Sequence, residues 1–195
     1  MRRRLFWIIA IVLLGLTVHL AYVLFVPNME MNRIMSAAAE THGSNRFLVL
    51  DEQEAAQVLG QQSLAFVQGI CVLDLAQGPV LVTLETPASY WMANVYSRKG
   101  DNIYSLNDRQ VSEVPFSIVV ERKKARLFTF ELEETAPEDA AFRVSTGDRS
   151  GLFVVRVFVQ DPAYRTRITR TLERSTCKAQ LTAEAIQVPG SARTP

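Results

Sequence analysis

Histidine and cysteine are scarce in this chain of 195 residues, with two of each. His19 and His42 stand apart, as do Cys71 and Cys177, so no Cys-x-x-Cys, zinc-knuckle or His-Glu-x-x-His spacing exists. Gly-x-Ser-x-Gly, a phosphate-cradling glycine-rich loop and an N-glycosylation triplet are missing too. No metal, cofactor or catalytic residue is therefore expected. Neither charge sign is in excess: 21 Lys+Arg face 20 Asp+Glu, for a net charge of +1. With the three arginines at positions 2–4 set aside, 18 basic residues face 20 acidic ones, a balance of −2. That is no electrostatic footprint for nucleic acid, and no such partner is expected.

What the sequence has in plenty is apolar character. Hydrophobic residues make up 48% of the chain, and much of this is concentrated at the front. Leu5 to Val26 contains no charged residue and would span about 33 Å as a helix, against a bilayer core of roughly 30 Å. Arg2, Arg3 and Arg4 precede it, which favours a cytoplasmic N-terminus and sends the rest of the chain across the membrane. A cleavable signal peptide has the same polarity. Its apolar region is typically ~7–15 residues and ends in a small-x-small site, whereas this run is longer and leaves as "VLFVPNMEM". The reading is an uncleaved anchor, with residues 5–26 in the bilayer. His19 lies within the span beside Thr17, tolerated there or meeting a neighbouring helix rather than marking a proton path.

Residues 27–31 read as a short exit linker. "MNRIMSAAAETHG", 31–43, has helical spacing with Met31, Ile34, Met35 and Ala38 on one face. "RFLVL" is a short strand, and "DEQEAAQVLG" a second helix with Asp51 as its N-cap and Gly60 as its stop. From Ser63 the period changes to that of strands. The runs are "FVQGICVLDL", "PVLVTLE", "YWMANVYS", "NIYSLN", "FSIVVE", "RLFTFELE" and "GLFVVRVFVQ". Tight turns between short strands predict an antiparallel β-sandwich-like domain. "CVLDLAQGPVLV" reads as a compact hairpin turning at Gln77-Gly78-Pro79, because proline is tolerated at a strand's first residue. Asp161-Pro162 opens a last helix to about Ser175, with Tyr164, Ile168 and Leu172 as its buried stripe. The expected boundaries are 1–4 for a basic cytoplasmic N-terminus, 5–26 for the transmembrane helix and 27–62 for a helical linker region. Residues 63–187 follow as a β-rich domain with a C-terminal helix, and 188–195 as a disordered tail.

Alternation places Cys71 on the core face of its strand. In an extracytoplasmic domain a bond to Cys177 would fasten the final helix to the sheet; two buried free thiols are the alternative.

The segment from Cys71 to Arg109 carries a resemblance. Asp74-Leu75 ends a strand, Gly78-Pro79 turns, Val80 to Leu84 form an apolar strand, and after Pro87 an aromatic strand runs from Tyr90-Trp91 to Tyr96. This order resembles the bacterial family called domain of unknown function 1254. "GLFVVRVFVQDP", a helix and Cys177 resemble the end of its short, membrane-anchored members. The resemblance covers roughly residues 60–180. It implies an all-β domain, an inner-membrane anchor and a periplasmic location, with no accepted activity. It also implies a partner, a second small membrane protein of a related uncharacterised domain encoded nearby. Longer relatives carry Asn-Asp-Thr-x-Tyr-Ser before the first of these strands, where this chain has "GQQSLAFVQG". Ligand chemistry that depends on that motif is left without support here.

Two clusters remain as candidate sites. Tyr90, Asn94, Tyr96, Asp101, Tyr104, Asp108 and Arg109 can line a groove for a polar ligand such as a sugar, with Asp101 and Asp108 as a carboxylate pair. Asp-Asn and Asn-Asp are also ordinary turn formers, and tyrosine on a strand usually packs. Arg167, Arg170 and Arg174 form a stripe on the last helix that can bind carboxylates or lipid headgroups, or simply be a solvated face. "ERKKAR", 121–126, reads as a basic hairpin turn that protects strand edges. The function expected is that of a non-enzymatic envelope interaction module. An extracytoplasmic ligand-binding domain, or a hydrolase acting on carbohydrate, is the alternative.

Overall fold

The computed structural model describes residues 2–60, 65–111, 114–123 and 142–180. The elements in chain order are α1 (Arg2–His42), β1 (Leu48–Leu50), α2 (Glu52–Leu59), β2 (Phe66–Asp74), β3 (Val80–Leu84), β4 (Trp91–Ser97) and β5 (Asn102–Asn107). Then come β6 (Phe116–Arg122), β7 (Phe142–Thr146), β8 (Ser150–Phe158), a 3-10 turn at Pro162–Tyr164, α3 (Arg165–Leu172) and β9 (Thr176–Ala179). The strands form a sandwich-like pair of sheets, one ordered β1-β2-β8-β4-β5 and the other β7-β6-β3-β9. Among the described residues every strand pairing is antiparallel except β6 with β7, which run parallel.

Period-two alternation builds the space between the sheets. In β3, Val80, Val82 and Leu84 are fully buried while Leu81 and Thr83 are half-buried. They meet Phe153, Val155 and Val157 of β8 and Trp91, Ala93 and Val95 of β4. Trp91 stacks on Phe116 across the sheets, with ring centroids 5.1 Å apart. Gly69 of β2 leaves room for the Phe47 ring, since a Cβ there would fall 2.6 Å from Phe47 Cζ.

The outer face of the first sheet is also buried at its centre. Ile70, Val72, Leu152 and Val154 pack beneath Met35 and Ala38 of α1 and Ala55 and Val58 of α2. Hence β8 reads as an almost unbroken apolar run: both of its faces are covered. α2 starts as its sequence predicts. The Asp51 side chain accepts from Glu54 N–H, the Glu54 side chain accepts from Asp51 N–H, and Gly60 closes the helix in the left-handed region.

Four expectations need correction. The stretch at 71–82 is not a hairpin: β2 pairs with β1 and β8, β3 with β6 and β9, so Gly78-Pro79 carries the chain between sheets. Asp74 shapes that corner, its Oδ1 accepting from Ala76 N–H at 3.0 Å. The Asn45 side chain fills the edge beside it, donating to Asp74 O at 3.0 Å and accepting from Asp74 N–H at 2.8 Å.

Residues 27–31 are not a linker. α1 continues through Pro27, because helical sequence on both sides satisfies more backbone groups than a break would. The last helix ends at Leu172, and Cys177 lies on β9, an edge strand. Cys71 and Cys177 form a disulfide that ties the two sheets together, not a helix to a sheet. Tyr164 precedes that helix and is 54% exposed, so only Ile168 and Leu172 bury its inner face. "RLFTFELE", the second half of "ERKKAR" and the tail after residue 187 lie outside the described residues.

Candidate functional site

The groove residues chosen from sequence are not gathered on one surface. Tyr104 and Asn94 sit on adjacent antiparallel strands but on opposite faces. Tyr104 packs inward near Phe142, whose ring centroid is 6.4 Å away. Asn94 lies outward and buried, its Oδ1 accepting from Ser105 Oγ at 2.7 Å and from Asn102 Nδ2 at 3.4 Å. Tyr96 packs against the cluster beneath α1. Tyr90 is exposed just before β4, and Arg109 is exposed in the turn that Asn107 Oδ1 closes by accepting its N–H.

Asp101 and Asp108 flank the two ends of β5, about 20 Å apart for a six-residue strand. Paired carboxylates in glycoside hydrolysis stand about 5–10 Å apart, so these two cannot share one bond. Asp101 instead closes the β4–β5 turn, accepting from Ser97 Oγ at 3.2 Å.

A concave surface lies elsewhere, between the β3–β4 connection and α3. Pro87, Ala88, Ser89, Gln160, Tyr164 and Arg167 surround a hollow of about 220 Å³ floored by Ile168. Local sequence explains its walls. Asp161 Oδ1 accepts from Ala163 N–H at 2.8 Å and Pro162 takes the first position of the turn, which projects Tyr164 outward. The Ser89 hydroxyl donates to Phe158 O at 2.7 Å, fixing the opposite wall to the end of β8. An aromatic ring, a guanidinium and an amide over an apolar floor suit a small carboxylate-bearing group. They do not make an activated nucleophile: Ser89 is engaged with a backbone carbonyl, and both histidines are on α1. His42 lies 3.9 Å from Glu54, on another part of the surface. Among the described residues no three potential metal ligands cluster.

Of the arginine stripe, Arg167 and Arg170 are exposed on α3, and Arg167 also lines the hollow. Arg174 follows the helix and stands 3.9 Å from Glu85. Sequence reasoning missed Ser89, Gln160 and the outward turn of Tyr164. The signal was Asp161-Pro162, which fixes where the helix can begin and so which residues precede it.

Residues 45–179 match the family described as Protein of unknown function (DUF1254), and the chain belongs to that family. No curated protein matches it. Among solved structures it is similar to the VPA0106 protein from Vibrio parahaemolyticus, with a TM-score of 0.59 and 10% identity over 91% of this chain and 42% of that one. An uncharacterized protein from Burkholderia cenocepacia aligns with a TM-score of 0.48 and 13% identity, over 78% of this chain and 39% of that one. The chain thus spans less than half the length of either. At such identity the Vibrio likeness shows the fold alone.

Proposed function

We propose that this DUF1254 chain is a single-pass inner-membrane protein whose β-domain stands in the periplasm as a non-enzymatic interaction module. One observation carries the anchoring. From 5 to 26 every residue except Ala10 and Val26 is exposed, and none of the most apolar window is buried against the domain. Single exposed apolar residues are ordinary, but a contiguous apolar surface of this length needs a non-aqueous environment. The three preceding arginines favour the cytoplasmic side for the N-terminus. A disulfide in the domain fits an oxidising compartment. The same helix runs on to bury Met35 and Ala38, so cleavage near residue 27 would sever an element that packs on the sheet.

The module's contact surface is the α3 face with its adjoining hollow, and its partner is a second small membrane protein of a related uncharacterised domain. Arg167 belongs to both the helix face and the hollow, which supports docking of an acidic segment there. The hollow also supports the second reading, capture of a small carboxylate-bearing ligand. Fusions to the C-terminus test the topology: alkaline phosphatase should be active and a cytoplasm-only fluorescent protein dark. The reverse pattern overturns the reading.

A further inference from the structure

We propose that the β4–β5 turn, with the neighbouring β7–β8 turn, forms a basic contact for anionic phospholipid headgroups. The proposal rests on the anchored reading. Pro27 is the first residue beyond the apolar run Leu5–Val26, and α1 brings it against the β4–β5 turn. A Cβ built on Gly100 would lie 3.5 Å from the Pro27 carbonyl oxygen. Gly100 has φ +92°, so glycine serves the turn twice, by conformation and by close approach. Arg98 Nε donates to Asn32 Oδ1 at 3.2 Å, fixing the turn to the next turn of the helix.

The headgroup zone is roughly 5–8 Å deep on each side of the hydrocarbon core. A turn touching the residue that leaves that core lies within it. Two further segments reach the same place. Arg98 N–H donates to Asp148 Oδ2 at 3.2 Å, which brings the β7–β8 turn alongside. Lys123 N–H donates to Thr146 O at 2.7 Å, at the start of that turn.

The charge there is one-sided. Arg98, Lys99, Arg122, Lys123 and Arg149 are all exposed. Three acids lie among them, and each is engaged: Asp101 by the Ser97 hydroxyl, Asp148 by Arg98 N–H, and Asp74, beside Arg149, by Ala76 N–H. Glu30, nearby on α1, is paired with Arg33, which holds its carboxyl below the usual range and cancels its charge locally. Five cations against three acids leave a net positive patch in the domain, whose overall balance is negative. Long basic side chains lay their stems along apolar surface and put their charge among phosphates. The patch would hold the sandwich upright against the bilayer and fix which face its partners meet.

The test uses the full chain in nanodiscs of phosphatidylcholine, with and without a share of phosphatidylglycerol, read by hydrogen–deuterium exchange. Amides of 98–100 and 147–149 should exchange about fivefold more slowly with the anionic lipid, the factor one basic residue gives near such a surface. High salt, or Lys99→Glu with Arg149→Glu, should remove the difference while β8 stays protected as a measure of folding. A chain that incorporates and exchanges equally in both lipids overturns this inference alone. Protection that appears only in native membranes also overturns it and points to a protein partner. A chain that fails to incorporate overturns the anchored reading and this inference with it.

Discussion

Cys71 of β2 and Cys177 of β9 are bonded across the sandwich, their Cα atoms 6.5 Å apart and 106 residues apart in sequence. β9 is a four-residue edge strand with one buried residue, Cys177, so packing alone holds it weakly. Its bond to Cys71, in the central part of the other sheet, compensates for that.

Breaking the bond should therefore cost the domain much of its margin. Closing a loop of this length contributes about 4–5 kcal/mol through the entropy of the unfolded chain. Cys71→Ser with Cys177→Ser should lower the thermal midpoint by about 10–20 °C. Both sulfurs are buried, so the native domain should resist mild reductant until it is partly unfolded. Calorimetry with and without reductant checks both statements, and equal midpoints would contradict the first.

The corner at Asp74 gives a sharper local test. Asn45 makes two hydrogen bonds to the Asp74 backbone and sits at φ +56°, where asparagine and glycine are at ease. Asn45→Gly keeps the conformation and loses both bonds, for a cost of about 1–3 kcal/mol by urea titration. A neutral result would mean that water replaces the side chain.

Gly69→Ala tests packing between the sheets. The added methyl collides with Phe47 and stands 3.0 Å from Val155 Cγ1, an overpacking worth about 1–3 kcal/mol. Phe47→Leu should relieve part of it, so the double variant should be more stable than the sum of the single changes predicts. Strict additivity would show that the strain falls on β8 instead.

These tests also mark where sequence reasoning succeeded. The runs "PVLVTLE" and "GLFVVRVFVQ" located β3 and β8, because short β-branched stretches between turn residues suit a pleated strand, although β8 is buried on both faces and shows no alternation. Pairing partners have no such signal. Asp74, Gly78 and Pro79 look alike whether the chain folds back on one sheet or crosses to the other. β7 and β9 passed unnoticed because "FRVST" and "TCKA" are short edge strands with one or two apolar residues each. The groove failed for a related reason: residues adjacent in sequence on a hairpin alternate between faces, so Tyr104 and Asn94 became neighbours in the ladder without sharing a surface. The hollow beside α3 is assembled from segments over seventy residues apart, which no local motif could reveal.

The α3 surface carries the prediction closest to function. Arg167 and Arg170 are exposed on a short helix whose inner face is pinned by Ile168 and Leu172, so charge reversal should leave the fold intact. Arg174 is partly committed to Glu85 and contributes less to any outside contact. Anchoring two domains in one membrane raises their effective concentration, and even a weak contact then becomes occupied. Charges at the rim of such a contact act mainly on encounter and salt dependence. Arg167→Glu with Arg170→Glu should therefore reduce recovery of the proposed partner membrane protein from mild-detergent extracts several-fold. Raised salt should weaken the wild-type complex in the same direction. Pull-down of the tagged full chain, with mass spectrometry and prior crosslinking in the membrane, gives the measurement. Recovery of the bait alone would refute the partnership and shift weight to the hollow as a ligand site. In that case Tyr164→Ala, which removes its aromatic wall without touching the core, becomes the variant that should lose binding.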